Sequence, residues 1–469
     1  MRHGDHANPE PHPASFRDPS GFVYVVDGVV YRRVNRQYQE SYDRLMASGL
    51  YDALVTEGWM VAHDEVPVES PASDEAYRIL KPVPIPYVSY PYEWSFSQLK
   101  DAALLTLDIQ IRSLASGMTL KDASAYNVQF IGSRPTFIDT LSFDTYEDGK
   151  PWVAYRQFCQ HFLAPLALMA CVDVRLGHLL RNFIDGLPLD LVSTLLPVTT
   201  RMRFGLLVHI HAHARSQKRH ERGGRTTAAR AGEPRLSKPR LLALLDSLRR
   251  TVAALTLPRM STEWGDYYED TNYSSDAMAA KEAIVGRMVE AFVPPGETIH
   301  DLGANTGRFS RLVAGAGRYV VSHDIDALAV ERNYLRNRSE RIADVLPLLL
   351  DLTNPSPSIG WALAERASTL ARLRGSIVAL ALVHHLAISN NVPLPRLAAF
   401  FACTADTLVV EFVPKEDSQV QRLLATRADV FPHYTQAAFE AAFQDLFEVL
   451  ARERVPGTTR TLYAMRRRS

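Results

Sequence analysis

The chain has 469 residues, of which 46% are hydrophobic and 22% are charged, and its 52 Lys and Arg balance its 52 Asp and Glu. This composition is that of a globular protein of two or three domains, and the balanced charge gives no signal for nucleic acid or an anionic membrane. The three cysteines, Cys159, Cys171 and Cys403, cannot build a disulfide framework. No secretory h-region and no run of about 18 apolar residues is visible, so we expect a cytoplasmic protein that does not enter a membrane.

The first half of the chain predicts an α+β accessory domain over residues 19–214, preceded by a disordered stretch over residues 1–18 that is rich in His and Pro. An Asp27-Gly28 turn between apolar runs predicts a hairpin over residues 21–35. Apolar spacing and turn signals further predict two helices, at 37–58 and Trp94–Ala115, a strand pair at Val128–Phe130 and Thr136–Ile138, and a mainly helical stretch over residues 151–213.

A short motif in this half carries chemistry-bearing side chains. Asp122 is followed five positions later by Asn127, and Asp139 closes the strand pair. In this spacing the segment resembles protein and small-molecule kinases, in which the first Asp is the catalytic base and the other two residues hold magnesium. Leu-Lys-Asp replaces the usual His-Arg-Asp, and no Gly-rich phosphate loop is visible. The resemblance implies a kinase-like fold adapted to recognition or a second, nucleotide-binding site, and coincidence is the third alternative.

Residues 215–240 are polar and basic, and we interpret them as a flexible linker in preference to a nucleic-acid contact. His209 and His213 lie one helical turn apart just before this segment, but no acidic or cysteine ligand accompanies them. We therefore predict no metal site. A second domain is predicted over residues 241–469, beginning with helices.

The second domain contains the most informative stretch of the chain, His300 to Ser310. An apolar run from Glu297 to Leu302 leads into a glycine-spaced acidic turn, and then into a helix-like stretch. This order is typical of the first strand, loop and helix of a doubly wound α/β sheet, which binds ligands at the carboxyl ends of its strands. The spacing is neither G-x-G-x-x-G nor G-x-x-x-x-G-K-[ST], so NAD and ATP are poorer interpretations.

Two further apolar runs also end in acids. Tyr319–Asp324 predicts the second strand, and Val345–Leu350 predicts the third, closed by Asp351. We predict that the remaining strands are Ser376–Leu382, Thr407–Phe412, Phe447–Ala451 and Thr461–Met465, the last two forming an antiparallel hairpin. The fold class is therefore an α/β, Rossmann-like, seven-stranded sheet at the C-terminus, preceded by an α+β domain.

Three strands closed by acids at one sheet edge resemble the class I S-adenosylmethionine-dependent methyltransferases. The resemblance implies that S-adenosylmethionine is the cofactor, that Asp324 holds its ribose and that Asp351 meets its adenine amine. It assigns the loop beneath the methionine part of the cofactor to Asp301, Gly303, Ala304, Asn305 and Gly307. The alternative is a Rossmann-like fold that binds something else. As a whole, the chain also loosely resembles bacterial methyltransferases related to a rhizobial nodulation protein.

In the same family the loop after the fourth strand faces the transferable methyl group, and here it contains His384 and His385. Either imidazole is a candidate general base near neutral pH, and the alternative is that both only shape the loop. We therefore expect a methyltransferase that methylates oxygen on an unidentified acceptor, a small molecule or glycan more than nucleic acid, with the first domain aiding recognition. The alternative is a bifunctional or ATP-binding kinase-like protein with an auxiliary methyltransferase domain.

Overall fold

The computed structural model describes residues 10–67, 75–215, 236–258, 275–315, 317–425 and 428–468. It divides into two compact units, Met1–Arg259 with Ile359–Arg366, and Met260–Ser358 with Ala367–Ser469. Residues 1–9 of the predicted disordered stretch and residues 216–235 of the predicted linker lie outside the described residues. None of the described helices combines the length and the apolarity that crossing a membrane requires.

The strands are numbered in chain order. In the first unit they are β1 (Gly21–Val26), β2 (Val29–Asn35), β3 (His63–Val66), β4 (Ala76–Pro82), β5 (Met118–Leu120), β6 (Val128–Ile131), β7 (Arg134–Phe137) and β8 (Phe143–Thr145). In the second unit they are β9 (Thr298–Leu302), β10 (Tyr319–Asp324), β11 (Val345–Leu349), β12 (Ser376–Ala379), β13 (Thr407–Phe412), β14 (Phe447–Arg454) and β15 (Thr461–Arg467).

The α-helices are numbered in the same way. In the first unit they are α1 (Gln39–Ala47), α2 (Leu50–Thr56), α3 (Phe96–Ala115), α4 (Tyr155–Phe158), α5 (Ala164–Cys171), α6 (Leu179–Asn182), α7 (Leu189–Leu195), α8 (Phe204–Leu206) and α9 (Lys238–Ala254). In the second unit they are α10 (Ser275–Phe292), α11 (Arg308–Val313), α12 (Ala327–Glu340), α13 (Thr369–Arg372), α14 (Leu394–Thr404), α15 (Ser418–Leu424) and α16 (Gln436–Gln444).

The first unit contains an antiparallel sheet in the order β1-β2-β4-β3 and two small ladders, β5-β8 and β6-β7. The predicted hairpin is present as β1 and β2, because Asp27 and Gly28 both adopt positive φ, +50° and +77°, which suits a tight two-residue turn. The helix predicted over residues 37–58 is instead two helices. Gly49, at φ +72°, separates α1 from α2, a break that apolar periodicity does not reveal.

Residues 10–18 were predicted to be disordered, but they bond to β1. The backbone N–H of His12 donates to the carbonyl of Val23 at 2.7 Å, and the N–H of Val23 donates to Ser15 Oγ at 2.8 Å. Backbone pairing therefore holds this segment despite its polar composition, because composition does not count main-chain hydrogen bonds.

The predicted start of the second domain at residue 241 falls inside a helix of the first unit. Helix α9 buries Leu241, Leu245, Leu248 and Val252, one apolar stripe at helical spacing. Within the first unit, Arg249 Nε pairs with Asp108 Oδ1 of α3 at 2.6 Å. The second unit therefore begins later in the chain than its sequence suggested.

The second unit is a seven-stranded sheet in the order β11-β10-β9-β12-β13-β15-β14, with β15 antiparallel to both neighbours and the central pairs parallel. Neighbouring residues of one strand enter opposite cores: Ile377 packs on one face and Val378 on the other. Both faces are covered by helices, as the continuous apolar runs predict. This order is that of the class I methyltransferase sheet, so the predicted fold is confirmed.

Candidate functional site

The strand order of the second unit places its binding site. Strand β9 lies at the centre, with β10 on one side and β12 on the other, so the chain order reverses beside β9. Open α/β sheets bind ligands in the crevice at such a reversal, at the carboxyl ends of the strands. A cavity of about 270 Å³ lies there. Its lining includes seven residues predicted from sequence: Asp301, Gly303, Ala304, Asn305, Asp324, Asp351 and His385.

The loop after β9 turns back on β10 through its own backbone. The N–H groups of Gly303 and Ala304 both donate to the carbonyl of His323, each at 2.9 Å. Gly303 has φ +78°, and a Cβ there would lie 3.3 Å from Leu382 Cδ1. Asn305, at φ +52°, is also left-handed and donates its N–H to Asp324 Oδ2 at 2.7 Å. The loop therefore presents main chain to the cavity without intervening side chains.

Gly307 does not line the cavity, although we predicted that it binds cofactor. It is the N-cap of α11 at φ +75°, and a Cβ there would lie only 2.2 Å from Asn333 Oδ1. The absence of a side chain at this position lets α11 approach α12 closely. The two glycines of the motif therefore have different roles. Gly303 lies at the cavity, and Gly307 allows the two helices to pack closely.

Asp301, at the end of β9, anchors the loop from below. Its Oδ2 accepts a hydrogen bond from Ser310 Oγ at 2.6 Å, which ties β9 to α11. Asp301 is only 2% exposed. This burial raises the pKa of its carboxyl to about 6, and the negative charge of the neighbouring Asp324 raises it as well. Asp301 lines the cavity, but its main contact is with the protein.

Asp324 ends β10 and is partly exposed to the cavity. It accepts backbone hydrogen bonds from Asn305 at 2.7 Å and from Asp326 at 2.9 Å, which fix the orientation of the carboxylate. Burial raises its pKa to about 6. A fixed carboxylate at this position has the acceptor capacity to take hydroxyl donors from a ligand.

Asp351 follows β11 and lines the same cavity. Its Oδ1 accepts hydrogen bonds from the N–H of Thr353 at 2.8 Å and from Thr353 Oγ1 at 2.6 Å. Both of these bonds are made to Oδ1. The three neighbouring strands β9, β10 and β11 thus bring Asp301, Asp324 and Asp351 to one cavity.

The two histidines after β12 have different surroundings. His385 lines the cavity, whereas His384 is fully buried, and their ring centroids lie 4.2 Å apart. Burial, followed by the charge of Arg460, lowers the pKa of His385 to about 4. Burial also lowers the pKa of His384 well below its usual range, and among the described residues neither of its ring nitrogens has a hydrogen-bond partner. His385 begins a π-helical turn, His385–Ser389, a feature often found at functional sites.

A buried ion pair between α10 and β13 holds the loop before these histidines. Lys281 Nζ of α10 donates to Glu411 Oε2 of β13 at 2.6 Å, and the N–H of Ala381 donates to the same oxygen at 2.7 Å. Ala381 is left-handed at φ +50°, so β12 ends at Ala379 and not at Leu382 as predicted. Lys281 also lines the cavity. The available signal was Glu411, a charge in the otherwise apolar strand β13, whereas Lys281 lies among several charges of α10.

In the first unit, the kinase-like residues do come together. The pKa of Asp122 is raised by burial and by the charge of Asp139, and it is lowered in turn by a hydrogen bond from Asn127. Asp139, however, forms an ion pair with Arg32, accepts from Ser142 Oγ, and caps the N–H of Leu141 at 3.2 Å. A guanidinium therefore occupies one side of the carboxylate that the motif would offer to magnesium.

Comparison with known proteins gives one relative along nearly the whole chain. The nodulation protein NoeA of Rhizobium meliloti (strain 1021) is 36% identical over 464 residues, which are 97% of this chain and 95% of that protein. No family model matches the chain.

The solved structures that are similar to part of the chain include two methyltransferases. Magnesium protoporphyrin IX methyltransferase (ChlM) from Synechocystis PCC 6803, with bound SAH, has 17% identity and a TM-score of 0.30, covering 43% of this chain and 91% of its own. N-methyltransferase NodS from Bradyrhizobium japonicum WM9 has 11% identity and a TM-score of 0.30, covering 42% and 99%. The fold of the second unit rests on its strand order and not on these two likenesses.

Proposed function

The chain belongs to the family of the nodulation protein NoeA, and on that premise we propose that its second unit is an S-adenosylmethionine-dependent methyltransferase. The observation that carries the proposal is the convergence of Asp324, Asp351 and the loop after β9 on one cavity at the sheet reversal. The residues fit the cofactor: carboxylates suit the ribose hydroxyls and the adenine amine, and exposed main chain suits the methionine part. The cofactor supplies an electrophilic methyl group.

The protein's own contribution to methyl transfer is placement. Orientation of two reactants alone can account for about 7–11 kcal/mol of the barrier. The apolar side chains of Met278, Leu380 and Leu386 line the cavity beside His385, which limits water there. A cavity of about 270 Å³ and a chain of zero net charge favour a small-molecule or glycan acceptor over nucleic acid.

We assign the proton-accepting step of an oxygen methylation to His385. Its depressed pKa of about 4 keeps the imidazole neutral at physiological pH, so one ring nitrogen is unprotonated. Because the ring lines the cavity, it is better placed than the buried His384 to meet an acceptor hydroxyl. His384 supports the loop from behind.

The cofactor assignment is tested by calorimetry with S-adenosylhomocysteine. Asp324→Ala removes a charged acceptor of two hydroxyl hydrogen bonds, so we expect binding to weaken by about 2–4 kcal/mol. Asp445→Ala is the control, since this exposed Asp lies at the end of α16 and does not line the cavity. Unchanged affinity in a folded Asp324→Ala variant would refute the assignment.

The base assignment is tested separately. His385→Ala should lower the turnover of S-adenosylmethionine, with acceptor or by slow hydrolysis, by roughly 10²–10⁴-fold while the affinity for S-adenosylhomocysteine is retained. The neutral form is the active base, so at saturating S-adenosylmethionine, where protonation of Asp324 no longer limits binding, the wild-type rate should stay level down to about pH 5 and fall toward the pKa of about 4. A His385→Ala variant with full turnover would leave catalysis to positioning alone.

A nucleotide-binding first unit stays the alternative. It is supported by the approach of Asp122, Asn127 and Asp139, and it is opposed by the ion pair between Arg32 and Asp139.

A further inference from the structure

The first unit carries an exposed apolar loop that the proposed chemistry does not use. The stretch 197–204 (the 197–204 loop) follows α7, contains a 3-10 helix over Val198–Met202 and ends at the first residue of α8. It exposes 72% of Val198, 83% of Met202 and 73% of Phe204. Large apolar side chains are rarely this exposed in a cluster unless the surface has a partner.

The loop is held rigidly from beneath. His211, itself 1% exposed, lies 2.8 Å from Ser193 Oγ through Nδ1 and 2.9 Å from Thr200 Oγ1 through Nε2. Thr200 Oγ1 donates its proton to the carbonyl of Pro197 at 2.6 Å, so it accepts from Nε2–H, and Nδ1 accepts from Ser193. One imidazole thus fastens the middle of the loop to the helix before it.

The end of the loop is fixed as well. A Cβ at Gly205 would lie 2.0 Å from Thr251 Oγ1, so the backbone there rests directly on α9. With Thr200 and Gly205 held inward, Val198, Met202 and Phe204 are held outward. The apolar side chains are therefore presented in a fixed array, which lowers the entropy lost on binding.

The charge around the loop identifies the occupant. Arg201 and Arg203 alternate with the exposed apolar residues, and the chain from Leu189, the start of α7, to Arg215 contains three arginines and one acid, Asp190. Although the whole chain is neutral, this stretch is basic. A protein partner would need a concave surface to receive these protruding apolar side chains, whereas a lipid interface does not. At such an interface, arginine side chains can reach the headgroups while the apolar side chains are buried.

We propose that the 197–204 loop docks on the surface of an anionic lipid bilayer, inserting Val198, Met202 and Phe204 among the headgroups while Arg201 and Arg203 pair with lipid phosphates. The contact is peripheral and leaves the fold of both units unchanged. It brings the full chain to a membrane surface independently of the methyltransferase chemistry.

The test is co-sedimentation of the full chain with vesicles of phosphatidylcholine alone and of phosphatidylcholine mixed with phosphatidylglycerol. We expect binding to the mixed vesicles, weakened by salt, and little binding to the neutral ones. The variant V198S/M202S/F204S should lose about tenfold or more in partitioning, since removal of two buried methylenes already accounts for that. The variant R201Q/R203Q should also lose about tenfold or more.

A matched control is V83S/V88S/V153S, which changes exposed apolar residues elsewhere in the first unit and should bind as the wild type does. Melting temperatures and affinity for S-adenosylhomocysteine should be equal in all four proteins. Absence of binding to mixed vesicles overturns the proposal, as does equal binding to both vesicle types. Binding that survives V198S/M202S/F204S also overturns it, because the contact then lies elsewhere, such as in the basic segment after Arg215.

Discussion

Asp301 lies beneath the proposed cofactor site as a buried acid whose partner is a neutral hydroxyl. Ser310 Oγ donates to it at 2.6 Å, and Lys281 is near enough to lower its pKa. Desolvation outweighs both effects, so the pKa of Asp301 is raised to about 6 from the ordinary 3.8. The site thus holds a carboxylate whose ionisation opposes folding.

This burial gives a pH prediction. Because the folded-state pKa lies above the unfolded one, the stabilising contribution of Asp301 is complete below about pH 4 and is lost as the pH rises through about 6. Asp301→Asn cannot ionise, and its amide oxygen can still accept from Ser310. As the pH rises from low to neutral, the wild type should lose this contribution and the variant should not. The unfolding free energy of the variant minus that of the wild type should therefore increase by about 1–3 kcal/mol over this range.

Chemical denaturation of both proteins at about pH 5 and about pH 8 measures this difference. Comparison with the wild type removes the contribution of Asp324, whose pKa is raised in the same direction. A difference between the two proteins that does not change with pH, or that changes with the opposite sign, would contradict the burial argument.

At the scale of elements, a single carboxylate joins α10, β12 and β13. Glu411 accepts from Lys281 and from the N–H of Ala381, and Arg460 lies 3.8 Å from its other oxygen. The side chains of Lys281, Glu411 and Arg460 are all 4% exposed or less. Arg460 is also held by Asp417, from Nε to Oδ2 at 2.7 Å. Glu411 is therefore the carboxylate partner of Lys281, and it fixes the turn that leads to His385.

The partners that remain make removal of the two residues unequal. Glu411→Gln leaves Lys281 buried without its carboxylate, while Arg460 keeps Asp417, and we expect a loss of about 3–5 kcal/mol in unfolding free energy. Lys281→Gln leaves Glu411 close to Arg460 and Ala381, so its loss should be clearly smaller. The double variant K281Q/E411Q should lose less than the sum of the two single variants.

Urea denaturation of the three variants checks the order of these losses. Equal losses for the two single variants would contradict the expected difference between them, and additive losses in the double variant would mean that the ion pair does not act as a unit. Affinity for S-adenosylhomocysteine reports in addition whether the turn at Ala381 keeps the cavity intact.

Elements were predictable from sequence where one local pattern decides them. The buried strands β9, β10 and β13 follow from apolar runs, because both faces of a parallel sheet are covered. The end of β12 was not predictable, since Leu380 to Val383 continue the apolar run. The turn there depends on Glu411, 30 residues further along the chain. The ion pair of Lys281 was not predictable either, because its partner Glu411 lies 130 residues further along the chain.

At the scale of the whole molecule, the chain leaves the second unit at Ile359 and returns to it after Arg366. Within the first unit, the Arg366 guanidinium lies 4.1 Å from the centre of the Tyr126 ring, and Glu365 pairs with Arg17 at 2.6 Å. The sequence gives no composition shift there, so a single cut at residue 241 missed both this segment and α9. A fragment of residues 1–215 would lack α9 and the segment Ile359–Arg366, which both belong to the first unit. Tests of that unit therefore need the full chain.

Calorimetry of the full chain with two ligands separates the two candidate activities. S-adenosylhomocysteine at about one hundred times its dissociation constant should stabilise the protein by about 2.7 kcal/mol and raise its melting temperature. We expect Mg-ATP to leave the melting temperature unchanged, because magnesium at Asp139 must displace the Arg32 guanidinium and the Ser142 hydroxyl. Asp139→Asn is the control. Stabilisation by Mg-ATP that disappears in this variant would establish a nucleotide site in the first unit and overturn the expectation.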